Sequence, residues 1–173
     1  HNGLKIDNGN LEDIGKICKL PCIYKNVFGS LGTDVFLINR QEDIKQTIRD
    51  NKKYNRYLFQ EYIPNDFDYR VVIANGKSSS VCKRTRVSDK YRNNVALGAK
   101  EEFINVQDVS SDILDLAIKA AKVLKLNWAG VDIVTDKGTG QNYVLEVNRR
   151  PGLTGKSSEI LAAYKYIIEL VGR

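Results

Sequence analysis

Asp132, Glu146 and Asn148 are the residues whose types and spacing point most directly to chemistry. They lie between Trp128 and Gly155, where VDIVT and YVLEV are short runs of β-branched, aromatic and apolar residues and the intervening DKGTGQ is turn chemistry. Residues two apart in a strand point the same way, so Glu146 and Asn148 share a face while Leu145 and Val147 pack on the other. A turn centred near Gly138 sets Asp132 opposite or beside Glu146. Two carboxylates meeting there repel, and burying them among Val and Ile costs several kcal/mol unless a cation compensates. Two carboxylates and an amide oxygen, without Cys or His, suit a hard ion such as Mg²⁺, which completes its octahedron with waters and substrate phosphates. The solvated face of an amphipathic hairpin would look the same locally.

The elements that must hold these groups belong to a chain of ordinary globular composition. Of 173 residues, 42% are hydrophobic and 28% charged, enough for about one domain with a buried core. Met is absent and the chain opens His-Asn, which leads us to expect an excerpt of a longer protein. Cys18, Cys22 and Cys82 are odd in number, with neither a CxxC nor a dense spacing, so no disulfide framework or zinc site is implied and a reducing cytoplasm fits. No apolar run approaches the roughly 20 residues of a membrane span. The net charge of +6 suits a polyanionic partner, and nucleotide phosphates account for it without the basic stripe of a nucleic-acid surface. The single histidine is residue 1, which argues against a mechanism built on a histidine base.

Taken in order, Asn10 to Leu20 reads as an amphipathic helix stopped by Pro21. PCIYK reads as a short strand ending in Lys25, followed by the loop NVFGSLGT and the strand VFLIN. A phosphate loop that opens a helix would look different, so this is either a flap over a triphosphate with Lys25 beneath it or an ordinary tight hairpin. Glu42 to Lys52 is a short helix, YLFQEYI a strand, and Gln60 to Ile63 a place where an adenine could dock on backbone groups or where an edge strand simply faces solvent. FDYRVVIA (67–74) and SVCKRTRV (80–87) flank Asn75-Gly76, the strongest hairpin signal in the chain. Charges on one face of that hairpin, Asp68 and Arg70 among them, are expected to be solvated. SDKYRNNVALG (88–98) reads as a loop in which Arg92 and Asn94 could meet phosphate. Helices are expected from the Ser110/Ser111 cap to Leu126 and from Ser158 through Val171.

Six ordered stretches, IYKNVFGSLGTDV, FQEYI, DYRVVIANG, KRTRVSDKYRNN, AGVDIVTD and VLEVNRRPGLTG, together resemble the ATP-grasp superfamily. Within it they are similar to the branch of the ribosomal-protein glutamate ligase (RimK-like) and its lysine-biosynthesis relatives, from Pro21 onward. The resemblance implies an α+β fold of two subdomains with antiparallel sheets gripping a nucleotide. Residues 1–63 would be the small subdomain with the glycine flap and 64–173 the large one with the metal site, and the family's N-terminal domain would lie outside this chain. It implies ATP and two Mg²⁺ ions, with Mn²⁺ as a substitute, and amide-bond formation through an acylphosphate.

By position in those motifs, Lys25 would hold the α and β phosphates under Gly29, Ser30 and Gly32. Glu61, Tyr62 and Ile63 would meet the adenine and Asp68 the ribose or a polar group beside it. Arg92, Asn93 and Asn94 would reach the outer phosphates, Arg92 and Arg84 would be the catalytic arginines, and Asp132, Glu146 and Asn148 would bind metal, with Glu146 bridging. Two departures stand out. Val-Ala-Leu-Gly-Ala follows Asn94 where close relatives are basic and glycine-rich, and Arg149-Arg150 replaces small residues.

The expected function is therefore an ATP-dependent carboxylate-amine ligase acting on an amino acid, peptide or protein C-terminus, in the cytoplasm and compatible with a homo-oligomer. The alternatives are an ATP-binding module without turnover of its own and, least favoured, a basic RNA-binding domain resting on net charge and the KRTR run.

Overall fold

The computed structural model describes residues 4–5, 18–26, 34–50, 57–86 and 98–172. They fall into two compact units, His1–Ile63 and Pro64–Arg173. The first unit holds an antiparallel sheet in the order β1 (Leu4–Lys5), β4 (Tyr57–Glu61), β2 (Cys22–Asn26), β3 (Val35–Ile38), with helix α1 (Gln41–Asp50) following β3. CIYKN alternates as a strand should: Cys22, Tyr24 and Asn26 are buried, while Ile23 and Lys25 turn to the other face. Cys18, Cys22, Tyr24, Ile38, Phe59 and Ile44 of α1 form the core, and Tyr24 stacks on Tyr57 with ring centroids 4.2 Å apart. Of the expected opening helix, residues 10–17 lie outside the described residues and Cys18 to Pro21 is not helical.

The second unit is a five-stranded antiparallel sheet in the order β7 (Lys100–Ile104), β6 (Lys77–Thr85), β5 (Phe67–Ala74), β8 (Trp128–Thr135), β9 (Asn142–Asn148). Asn75 and Gly76 both take positive φ, 49° and 76°, as a two-residue turn of the primed kind demands. Helix α2 (Ser111–Val123) lays Ile113, Ala117 and Ala121, spaced by one turn, on Val71, Ile73, Val81, Ala129, Val131 and Ile133. Ser110 caps α2 by position, but its side chain makes no capping bond. Helix α3 (Ser158–Val171) spans the residues its sequence indicates, with Ser157 accepting from the Glu159 N–H.

Strand β7 was not anticipated. It is a short edge strand, KEEFI, whose charged residues hide its period, and its pairing with β6 sets Glu101 across from Arg84 and Glu102 across from Lys83. The β8–β9 hairpin is the expected one, its turn held by the Asp136 carboxylate, which accepts the N–H groups of Gly138 at 2.7 Å and Thr139 at 3.0 Å. The ladder shifts by one residue between Asp132 and Ile133. That bulge makes Leu145 the unpaired residue, so Val144 and Val147, rather than Leu145 and Val147, pack on the core.

The segment after β9 folds back over the sheet, and a Cβ built on Gly130 would sit 2.7 Å from the Pro151 Cβ. Only a glycine fits this crossing. Gly130→Ala should cost about 1 to 3 kcal/mol by overpacking. A thermal melt checks it, and a wild-type melting temperature would show that Pro151 yields without penalty.

Candidate active site on the polar face of the large sheet

Strand alternation sends Val71, Ile73, Val131 and Ile133 to α2, so Asp68, Arg70 and Asp132 emerge on the opposite face of the same strands. The register then sets Arg84 across from Asp68, Arg70 across from Asp132, and Asp132 across from Glu146. Arg70 grips Asp132 with a two-point fork, Nε to Oδ1 and Nη2 to Oδ2, both at 2.8 Å. Arg84 donates from Nε to Asp68 Oδ1 at 2.6 Å and pairs through Nη2 with Asp132 Oδ2 at 3.1 Å. The result is an alternating chain Asp68, Arg84, Asp132, Arg70 across three central strands.

One expectation is corrected here. The charges of the β5–β6 hairpin are not solvated: Asp68 and Arg84 are each only 5% exposed. Strands β5 and β6 lie inside the sheet, and the chain after β9 covers their polar side. The Asp132 carboxylate, for its part, meets two guanidinium groups within the protein. Burial alone would raise its pKa, but the charges and hydrogen bonds of Arg84 and Arg70 outweigh that and hold it below the ordinary carboxylate value. Glu146 does face Asp132 across the ladder, yet its side chain is exposed and its charge is solvated.

Behind the arginines lies a group that the sequence did not single out. Glu159, in the first turn of α3, is 1% exposed and accepts the Thr154 N–H at 2.8 Å. The Thr154 hydroxyl lies 2.9 and 3.1 Å from the two oxygens of Glu101. One threonine thus ties two acids to the loop between β9 and α3. Burial raises the Glu159 pKa, and the Thr154 N–H and nearby Arg70 only partly offset it. The signal in the sequence was an acid just after a serine cap, which reads as ordinary helix capping. Burial likewise pushes the Cys22 and Cys82 thiols up to about 12, so neither is a nucleophile at neutral pH.

A hard cation can be tested against these donors. The two Asp132 oxygens together offer about four acceptor positions. The arginines take one on Oδ1 and two on Oδ2, leaving one on Oδ1 among the described residues. Glu146 is open, and Asn148 pairs across from Gly130 two residues further along its face. No three His, Cys, Asp or Glu side chains form a metal cluster among the described residues. Two carboxylates and an amide remain a fitting set for an ion that takes its other ligands from water and phosphate.

In the first unit, Lys25 is half-buried on the β2 face opposite the aromatic core, across from Val35 and Leu58. Glu61 closes β4, exposed and across from Cys22. The strand ends there, the Tyr62 N–H turns to the Pro21 carbonyl at 3.3 Å, and the Ile63 side chain is buried. Gly29, Ser30, Gly32, Arg92, Asn93 and Asn94 lie outside the described residues.

Because the buried Asp132 serves the buried Arg84 and the half-buried Arg70, Asp132→Asn should destabilise the second unit by about 3 to 5 kcal/mol, whereas Glu146→Gln should stay within about 0.5 kcal/mol without metal. Denaturant titration compares them; similar losses would mean that the ion-pair chain is not what the fold rests on. The pH slopes have opposite signs. Asp132, lowered in the folded state, contributes fully above the ordinary carboxylate range and loses that contribution as the pH falls through its folded value. Glu159, raised in the folded state, withdraws stability as the pH climbs through and above that range. Glu159→Gln keeps an oxygen for the Thr154 N–H and should abolish this second slope in denaturation measured across pH; an unchanged profile would remove Glu159 from the account.

The chain matches the RimK-like ATP-grasp domain over residues 4–170. It is 31% identical over 160 residues to the coenzyme gamma-F420-2:alpha-L-glutamate ligase of Methanocaldococcus jannaschii, covering 90% of this chain and 53% of that protein. It is 33% identical over 138 residues to a probable alpha-L-glutamate ligase of Aeromonas salmonicida, covering 78% of this chain and 45% of that one. The chain thus spans about half the length of these curated relatives. Among solved structures it superposes on the D-alanine–D-alanine ligase of Bacillus anthracis in complex with ATP with a TM-score of 0.72, at 19% identity over 96% of this chain and 55% of that one. It superposes on the ATP-grasp ligase PsnB with its minimal precursor, Mg and ADP with a TM-score of 0.67, at 21% identity over 94% and 51%. Antiparallel sheets, the polar face of β5, β8 and β9, and a family match along nearly its whole length lead to one assignment: the chain belongs to the RimK-like ATP-grasp family.

Proposed function

We propose that this chain is the nucleotide-binding part of an ATP- and Mg²⁺-dependent carboxylate-amine ligase. A carboxylate oxygen attacks the γ-phosphorus of ATP and ADP leaves. An amine then attacks the acyl carbon, the C–N bond forms, and phosphate departs with the C–O electrons. The observation that carries this reading is the register that sets Asp132 across from Glu146, with Asn148 on the same strand, in a chain of this family. The relatives' names favour glutamate as the amine, and the peptide precursor bound by PsnB widens the class to peptide or protein carboxylates.

In this reading Asp132, Glu146 and Asn148 hold one or two Mg²⁺ ions, with Mn²⁺ able to substitute, and the metal would neutralise phosphate charge during transfer. Lys25 holds the α and β phosphates beneath Gly29, Ser30 and Gly32, and Glu61, Tyr62 and Ile63 meet the adenine. Asn93 and Asn94 join Arg92 at the outer phosphates. Asp68 accepts the Arg84 Nε–H on Oδ1 and meets the ribose or a polar group beside it. Fixed by two carboxylates, Arg84 keeps Nη1 as its uncommitted nitrogen among the described residues and can present it to an anion without reorganising. No described helix is long and apolar enough to cross a membrane, and a cytoplasmic setting belongs to the same proposal.

Mg²⁺-ATP should raise the melting temperature well beyond ATP with chelator, since a hundredfold excess over the dissociation constant is worth about 2.7 kcal/mol. Glu146→Gln should erase most of that difference; equal shifts with and without Mg²⁺ would refute the metal assignment. In the full-length protein, phosphate release should require both a carboxylate and an amine. There Arg92→Ala should cut kcat by orders of magnitude with a modest change in ATP affinity, and Arg92→Lys should restore little, because the two-point geometry is lost. Unchanged kcat in these variants would move Arg92 to ground-state binding.

A further inference from the structure

Between Asn148 and Pro151 the chain makes a two-residue arch over Gly130. Asn148 pairs with Gly130 in the β8–β9 ladder, and Pro151 comes back onto the same glycine, where a Cβ would meet the proline Cβ at 2.7 Å. Beyond Pro151 the segment is fixed again, since Thr154 gives its N–H to Glu159 and its hydroxyl to Glu101. The backbone of the arch is thus held at both ends. Its side chains are not: Arg149 and Arg150 are exposed, and among the described residues no carboxylate pairs with either. The other cations around these strands are matched, Arg70 and Arg84 by Asp132 and Asp68, Arg86 and Lys137 by Asp66.

We propose, on the ligase reading above, that Arg149 and Arg150 determine specificity by receiving a second carboxylate of the substrate, one that takes no part in the bond formed. Adjacent guanidiniums repel, and their place directly after Asn148 sharpens the repulsion once a divalent cation binds there, so an anion completes the arch. In the proposed reaction the triphosphate is already met by the metal, Lys25, Arg84 and Arg92, which leaves these two cations in excess of the phosphate charge. A carboxylate fits them, because its two oxygens accept the parallel N–H groups of a guanidinium fork. Two sources present such a group: an acidic residue next to the reacting carboxylate, or the side chain of an acidic amino acid that brings the amine.

Calorimetric titration of the full-length protein, saturated with Mg²⁺ and a non-hydrolysable ATP analogue at about 0.15 M salt, tests the assignment. N-acetyl tetraglutamate is compared with N-acetyl tetraglutamine, and L-glutamate with L-glutamine. In at least one pair the acidic member should bind roughly tenfold tighter, as two solvent-screened fork contacts allow, and the pair that discriminates identifies the source of the carboxylate. Arg149→Gln combined with Arg150→Gln should equalise that pair and leave the affinity for the nucleotide analogue unchanged, while Arg149→Lys with Arg150→Lys should retain only part of the preference. A preference that survives the double glutamine variant overturns the proposal, as does a variant that loses the nucleotide analogue as much as the probe. Equal binding within both pairs, by a protein that takes up the analogue, overturns this proposal alone. A protein that does not take up the analogue overturns the ligase reading and this proposal with it.

Discussion

The second unit depends on the two arginines, Arg84 buried and Arg70 half-buried, that share Asp132. Arg70 and Arg84 come from adjacent strands, Asp132 from a third, and without the carboxylate between them two guanidiniums would face each other under the loop that follows β9. Burying one ion pair is close to neutral in energy, because desolvation offsets most of the Coulombic gain. Breaking one is costly. The alternating chain is thus weak as a source of stability and strict as a constraint: β5, β6 and β8 must keep this register or strand an unpaired charge in the interior. It also makes the face rigid before any ligand arrives, which favours a site that must stabilise charge by position.

The other features of that face follow from the need to cover and aim these groups. Gly130 lets Pro151 cross the sheet at contact distance, Thr154 is tied to Glu101 and Glu159, and Ser157 starts α3. The apolar side of the sheet uses ordinary means, with small and branched residues of α2 on branched residues of three strands. One sheet therefore carries a dry face that folds the unit and a charged face that leads to Glu146 and Asn148 at the β9 edge. The bulge beside Asp132 keeps Glu146 opposite it while returning Val144 and Val147 to the core.

The dipeptide Asn75-Gly76 announced its hairpin because few other residues accept positive φ at both positions, and α3 was legible to the residue because its cap and apolar period agree. Strand β7 was not, since KEEFI owes its place to pairing with β6 and not to any pattern of its own. The opposition of Asp132 and Glu146 could be read from turn length and period two. Their environments could not.

What the sequence determined by itself is whatever depends on near neighbours: which segments are strands or helices, where turns fall, and which side chains share a face. The six ordered motifs added the family, because their spacing along the chain is a linear property. Only the tertiary structure decided how each charge is met. Asp132 is paired because residues 62 and 48 positions away arrive on the next strand of the sheet and on the one beyond it, and Glu159 is buried because α3 lies against the polar face with Glu101 nearby. Desolvation and ion pairing are set by distances through space, which local periodicity does not encode.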